Sequence, residues 1–227
     1  MSEMLIAGQP VDRGIFSQGR NRNWFAEVVL ATSEDEEPPT GPVKLSLLGT
    51  TWQGFAVRSG APYQQARLRI IGGRGGLTTR INPRDYRVAS YRQILTELLE
   101  DAGEELNVEN SVGLDDMLAG WSRFRQAAVV ELEQLVALRT PVDGTLWRMG
   151  QDGRIVVAPS VPTDLTQELV FVAGWPQEDR RLYALADESE GANVFAGQRL
   201  EDGLVIDRIE WQVKRRQLRL TAWTVPE

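Results

Sequence analysis

The segment Gly72-Gly73-Arg74-Gly75-Gly76-Leu77-Thr78-Thr79 is the first place where residue types could do chemistry. Clustered glycines let backbone N–H groups close on a phosphate. The details do not fit nucleotide binding. No Lys-Ser or Lys-Thr pair follows at the required spacing, and no G-x-G-x-x-G is present. What comes next reads as strand and not as a helix whose N-terminus could hold an anion. The expectation is therefore a glycine-rich hairpin tip. Acidic pairs are the second candidate: Asp115-Asp116, Glu104-Glu105 and Glu201-Asp202 could supply the acid and base of a glycosidase. That chemistry needs two carboxylates facing each other across a cleft. Neighbouring positions point apart, so these pairs read as solvated surface. Asp187-Glu188-Ser189-Glu190 lacks the alternating ligands and closing Glu of a calcium loop.

The 227-residue chain has neither cysteine nor histidine. Their absence removes thiolate nucleophiles, zinc-cysteine sites and every Ser-His-Asp or Cys-His arrangement. Metal could bind only through oxygens, and no oxygen-ligand spacing is present, so neither enzymatic chemistry nor a cofactor is expected. With 25 Lys plus Arg against 32 Asp plus Glu, the net charge of -7 argues against a general nucleic-acid binder. No run approaches the roughly 18 apolar residues of a membrane span. Residues 1–10 lack the charged start and apolar core of a signal peptide. A soluble chain made in the cytoplasm, with no membrane association, is expected.

Against the acidic background, one stretch is basic. Arg58, Arg67, Arg69, Arg74, Arg80, Arg84, Arg87 and Arg92 are opposed locally only by Asp85. Arginine in place of lysine suits planar, bidentate pairing. Two readings stand: a face that docks on acidic surfaces of a partner or neighbouring copy, or the polar face of alternating strands. Trp24, Trp52, Trp121, Trp147, Trp175, Trp211 and Trp223 are spread along the whole chain, which suits core or interface anchors better than a sugar platform.

The elements that must position these residues begin with Ser90 to Gly103. Tyr91, Ile94, Leu95, Leu98, Leu99 and Ala102 fall on one helical face. Ser90 and Gln93 suit a capping box, Gly103 suits the left-handed end, and the helix should cover a sheet. Strands are expected at Trp24 to Leu30, Val43 to Leu48, Thr51 to Arg58, Ala66 to Ile71, Leu77 to Ile81 and Asp85 to Val88. Ser33 to Pro42 is an acidic, proline-rich loop. Asp115 to Ala119 suits one helical turn, and Arg123 to Leu138 a second helix behind Ser122, stopped by Pro141. A hairpin pairs Thr145 to Met149 with Arg154 to Ala158 around Gly150-Gln151-Asp152-Gly153. Further strands are expected at Gln167 to Val172 and Arg181 to Ala186. A last hairpin carries Val205, Ile209, Trp211 and Val213 on one parity, turns at Lys214-Arg215-Arg216-Gln217 and returns from Leu218 to Val225. The fold class is α+β and β-rich: small β-barrel-like modules flank a helix-plus-hairpin α/β insert. The expected divisions are 1–89, 90–159 and 160–227, and the last may pair strands with the first.

In order, these segments resemble the baseplate hub family of tailed bacteriophages, the late-control-D-like tail proteins. The features are Gly49-Thr50-Thr51-Trp52-Gln53-Gly54 with Val57, Ile70-Ile71-Gly72-Gly73 with Gly76-Leu77, and Tyr86. There follow Leu98-Leu99-Glu100-Asp101-Ala102-Gly103-Glu104, Trp121-Ser122-Arg123, and Trp147-Arg148 with Asp152-Gly153. The order closes on Val205 to Trp211 and Leu218 to Trp223. The resemblance implies a non-enzymatic virion protein, a homotrimer whose paired modules mimic sixfold symmetry. Such a ring joins the sixfold distal tail to the threefold spike or fibre. Implied partners are the distal tail, tape measure and spike or fibre proteins, with DNA passing through the channel without specific binding. No lysozyme or peptidase domain is recognisable. The alternatives are a carbohydrate-binding or cell-wall-hydrolysing tail module, and a hub subunit of a phage-related injection machine.

Overall fold

The computed structural model describes residues 4–31, 38–58, 65–159, 161–175, 180–185, 193–214 and 217–226. The acidic run Ser33 to Glu37, the Asp187 to Glu190 segment and the Arg215-Arg216 turn lie outside the described residues. The chain forms two compact units, residues 1–71 with 161–227, and residues 72–160.

The first unit is built on a closed six-stranded barrel. Its strands are β1 (Met4–Ile6), β2 (Gln9–Gly19), β3 (Phe25–Ala31), β4 (Gly41–Leu47), β5 (Thr50–Arg58) and β6 (Gln65–Gly72). They run in the order β1-β4-β5-β6-β3-β2, and the three-residue β1 pairs with both β4 and β2 to close the ring. Closure removes free strand edges. Ala7-Gly8 and Leu48-Gly49 turn the β1–β2 and β4–β5 hairpins with positive φ at both positions, the backbone that matches strand twist. Alternating inward residues fill the barrel, with Ile6, Phe16, Val28, Leu30, Leu45, Leu68 and Ile70 buried. Phe16, Trp24 and Trp52 form an aromatic cluster with centroid separations of 5.6, 5.1 and 5.7 Å. β2 is absent from the sequence expectations because Pro10, Asp12 and two glycines break its pattern. Gly14 is required there, since a Cβ would lie 2.7 Å from the Glu27 carbonyl oxygen.

β2 is long enough to serve two neighbours. Its start pairs with β1, and residues from Arg13 to Gly19 pair with β15 (Val205–Lys214). The sheet continues through β16 (Gln217–Val225) and β14 (Arg180–Leu185) to β13 (Leu169–Trp175). The C-terminal strands thus share one ten-stranded sheet with the N-terminal ones, and β13 is its outer strand.

The second unit starts with residues expected to be strand. Leu77 to Ile81 is instead a 3-10 turn, Gly76–Thr78, with Gly75 left-handed before it and Leu77 buried. β7 (Arg84–Tyr86) and β8 (Ala89–Ser90) follow and pair with β10 (Trp121–Arg123) and β9 (Met117–Leu118). The helical turn expected at Asp115 to Ala119 is therefore replaced by strand pairing. α1 (Tyr91–Ala102) is capped by Ser90, whose Oγ accepts from the Gln93 N–H at 3.2 Å. The Gln93 side chain donates to Glu97 at 3.1 Å and does not reach back, so no capping box forms. All six apolar residues of α1 are buried, with Ile94, Leu95, Leu98 and Leu99 each contributing ~1.5–3 kcal/mol. They pack on α2 (Ala128–Ala137) and the 3-10 turn, and not on the face of a broad sheet. Tyr91 donates to the Leu135 carbonyl, and burial pushes its phenol up to about 12.

α2 starts five residues later than Arg123. Arg123 belongs to β10, where its buried guanidinium pairs with Asp101 and donates to the Asn82 carbonyl at 2.9 Å. Glu131, fully buried, accepts from the Phe124 N–H at 2.7 Å and from Gln126 at 2.6 Å, which holds residues 124–126 in a turn. Pro141 stands in the first turn of α3 (Thr140–Asp143), a position where no N–H is needed. β11 (Thr145–Met149) and β12 (Ile155–Pro159) form the expected hairpin, with the second strand starting one residue later than Arg154.

Candidate functional site

The glycine-rich loop does hold an anion, and that anion belongs to the chain. α1 ends in a Schellman motif: Gly103 N–H donates to the Glu100 carbonyl at 2.9 Å and Glu104 N–H to that of Leu99 at 2.7 Å. This directs the Glu104 carboxylate into the loop, where it accepts the backbone N–H groups of Arg74 at 2.9 Å and Gly76 at 2.7 Å. A Cβ on Gly76 would overlap the Ala102 carbonyl, and one on Gly73 would press on Glu104. Burial raises the Glu104 carboxyl above its usual range, against the pull of the backbone donors. The segment is thus a filled backbone nest and not a hairpin tip.

The basic stretch falls across both units. Arg67 and Arg69 lie on β6; Arg69 reaches Glu27 of β3 at 4.0 Å, and Arg67 is likewise engaged. Arg58 ends β5, with its side chain outside the described ones. In the second unit Arg74 pairs with Glu105, Arg84 with Glu97, and Arg92 with Asp115 at 3.0 Å. Burial opposes ionisation of Glu97, but hydrogen bonds from Gln93, Tyr86 and Arg84 together hold it below its usual range. These acidic partners lie 13 to 42 residues from their arginines, which is why local sequence shows the guanidinium groups as unopposed. Arg80 and Arg87 are exposed and make no ion pair among the described residues.

Arg80, Arg84 and Arg87 share one antiparallel ribbon. One register runs through its separate pairings, from the Arg80↔Ala127 bridge through Arg84↔Arg123 and Tyr86↔Trp121 to Ser90↔Met117, with residues 81–83 and 87–88 outside any strand between them. Residues 79–90 and 117–128 carry five arginines against Asp85 alone. Arg125, missed in the sequence because it stands apart from the others, lies in the turn at 124–126 between the Arg123 and Ala127 pairings; it too is exposed, with no ion pair among the described residues. Phe124 beside it is 64% exposed.

In the first unit, a cleft of about 340 Å³ lies between residues 165–169, Tyr183 of β14 and the Leu200-Glu201-Asp202 turn. Asp202 accepts from Arg181 at 2.8 Å and Tyr183 at 3.3 Å. Glu168 and Glu201 are exposed and make no ion pair among the described residues. No tryptophan lines this cleft. Trp24, Trp52, Trp147 and Trp211 are buried, Trp121 and Trp223 are partly buried, and Trp175 is exposed on β13. Among the described residues no grouping of three or more Asp or Glu could hold a metal ion, and no helix is long and apolar enough to cross a membrane.

No protein-family model and no curated protein sequence matches the chain. Solved structures share its fold. The 43 kDa tail protein of prophage MuSo2 from Shewanella oneidensis aligns over 100% of this chain and 97% of its own, with a TM-score of 0.74 at 10% identity. The E. coli c3393 protein, a type VI secretion component described as similar to T4 tail proteins gp27 and gp5, aligns over 99% of this chain and 76% of its own. Its TM-score is 0.68 at 13% identity. A tail protein from Neisseria meningitidis MC58 aligns over 98% and 95%, with a TM-score of 0.64 at 10% identity. The chain has the β-rich, barrel-based fold of phage tail proteins.

Proposed function

We propose that this protein is a structural, non-enzymatic subunit of a phage tail tip: a baseplate hub that joins the sixfold distal tail to a threefold spike or fibre. The observation that carries the reading is the end-to-end match to the MuSo2 tail protein fold, 100% of this chain on 97% of that one. Support also comes from the sheet, in which one closed barrel is extended by four further strands, giving one chain two strand-rich faces. Three copies would form a closed ring and meet the distal tail, tape measure and spike or fibre proteins, with DNA passing along the channel. An acidic balance suits that passage, because Lys and Arg contacts to phosphate create non-specific affinity. The subunit resides in the virion tail tip after synthesis in the host cytoplasm.

A second reading, a hub of a phage-related injection machine, is favoured by the match to the E. coli type VI component. Among the observations above, none favours a carbohydrate-binding or wall-hydrolysing module. The test is a reconstruction of the particle that contains the chain. Three copies in one ring at the tip support the hub, and the presence or absence of a DNA-filled head separates the two readings.

A further inference from the structure

Resting on the hub reading, we propose that the arginine-bearing ribbon of one copy seats in the acidic cleft of the next copy, and that this repeated contact closes the ring. On the ribbon, Arg84 is held by Glu97 and Arg123 by Asp101, leaving Arg80, Arg87 and Arg125 exposed with no ion pair among the described residues, on the same two segments as the exposed Phe124. In the cleft, Asp202 is held by Arg181 and Tyr183, leaving Glu168 and Glu201 exposed with no ion pair among the described residues, in a lining they share with Leu165, Leu200 and the buried Tyr183.

The two surfaces complement each other in charge: three exposed guanidinium groups on one meet two exposed carboxylates on the other. Phe and Arg are enriched in the desolvated centres of interfaces, and opposed free charges fix register and orientation. They belong to different units, and the contact pairs one surface of a copy with the other surface of its neighbour. Such a contact is heterologous, the kind that makes a ring when its rotation closes. A second copy suits the ribbon better than nucleic acid does, because three free arginines on a chain of net charge -7 give little phosphate affinity.

The experiment is charge reversal on the full chain, read by native mass spectrometry and sedimentation. A ribbon variant (Arg80→Glu, Arg87→Glu, Arg125→Glu) and a cleft variant (Glu168→Arg, Glu201→Arg) change only exposed side chains, and their melting curves report folding. Each should weaken self-association by roughly tenfold or more, while the variant carrying all five substitutions recovers it. A wild-type chain that stays monomeric, a ribbon variant that associates normally, or a five-site variant that does not recover overturns the contact. So does duplex DNA binding that vanishes in the ribbon variant. Particles with normal tips built from the ribbon variant defeat this contact but leave the hub reading intact; particles lacking the chain altogether defeat the hub reading itself.

Discussion

Glu104 and Gly76 stand 28 residues apart and are joined by a 2.7 Å hydrogen bond from the Gly76 backbone N–H to the Glu104 carboxylate. The bond fastens the loop that enters the second unit to the capped end of its first helix. A glycine cluster that resembles a phosphate cradle is in fact completed by an internal carboxylate.

Gly76→Ala should therefore be severe. Its Cβ has no space against the Ala102 carbonyl, and overlap with backbone cannot be relieved by a rotamer change. A loss of about 3 kcal/mol or more is expected in urea unfolding. Gly120→Ala is the control, because its nearest atom is 3.7 Å away and its φ is not positive; a change within about 0.5 kcal/mol is expected.

The second unit should respond to acid in two opposing ways. Thr145 hydrogen bonds, followed by Arg139, hold Asp143 below the usual carboxylate range. Its stabilisation is present above the unfolded pKa and is lost as pH falls through the lower folded value. Glu104, raised by burial, behaves oppositely: ionisation opposes folding, so its contribution improves as pH falls from neutral toward its unfolded pKa. Asp143→Asn should flatten the acid limb of the stability curve. Glu104→Gln should destabilise by about 1–3 kcal/mol at neutral pH, and the gap to wild type should widen on mild acidification. A gap that narrows contradicts the buried-carboxylate assignment.

How much of this was legible depended on the range of the interactions. α1 could be read to within a residue because Ser90, Gly103 and the apolar stripe are local signals. β2 could not, since Gly14 and Pro10 make sense only against β1, β3 and β15. The start of α2 was misplaced because distant residues decide it: Asp101 and Asn82 draw Arg123 into a strand, and Glu131 ties down Phe124. Met117 pairs with Ser90, which turns an expected helical turn into strand. The arginine stretch was visible as a cluster, but Glu27, Glu97, Glu105 and Asp115, which engage half of it, come from elsewhere in the chain. Arg125 is brought to the ribbon only by flanking pairings that no local pattern shows.

Arg123→Ala removes a side chain that is 1% exposed from Asp101, itself 37% exposed. Water can reach the orphaned carboxylate, so the loss should be about 1–3 kcal/mol, below the 3–5 kcal/mol of a fully buried broken pair. Asp101→Asn should cost at least as much as Arg123→Ala, because it leaves the 1% exposed guanidinium without its counter-charge. Thermal unfolding of both variants checks the order.

Ala7 turns the β1–β2 hairpin at φ 49°, a left-handed conformation that alanine disfavours. Ala7→Asn should raise stability by about 0.5–1 kcal/mol, measured by denaturant midpoint at constant m-value. A drop indicates that β1 does not close the barrel through this turn.

The copy number and symmetry of the chain at the tip of the assembled particle test the central claim most directly. A cryo-electron microscopy reconstruction should show three copies in one closed ring between a sixfold tube and a threefold spike or fibre. Six copies in a single ring, or a channel wall lined mainly by the Arg58 to Arg92 segment, contradict the account.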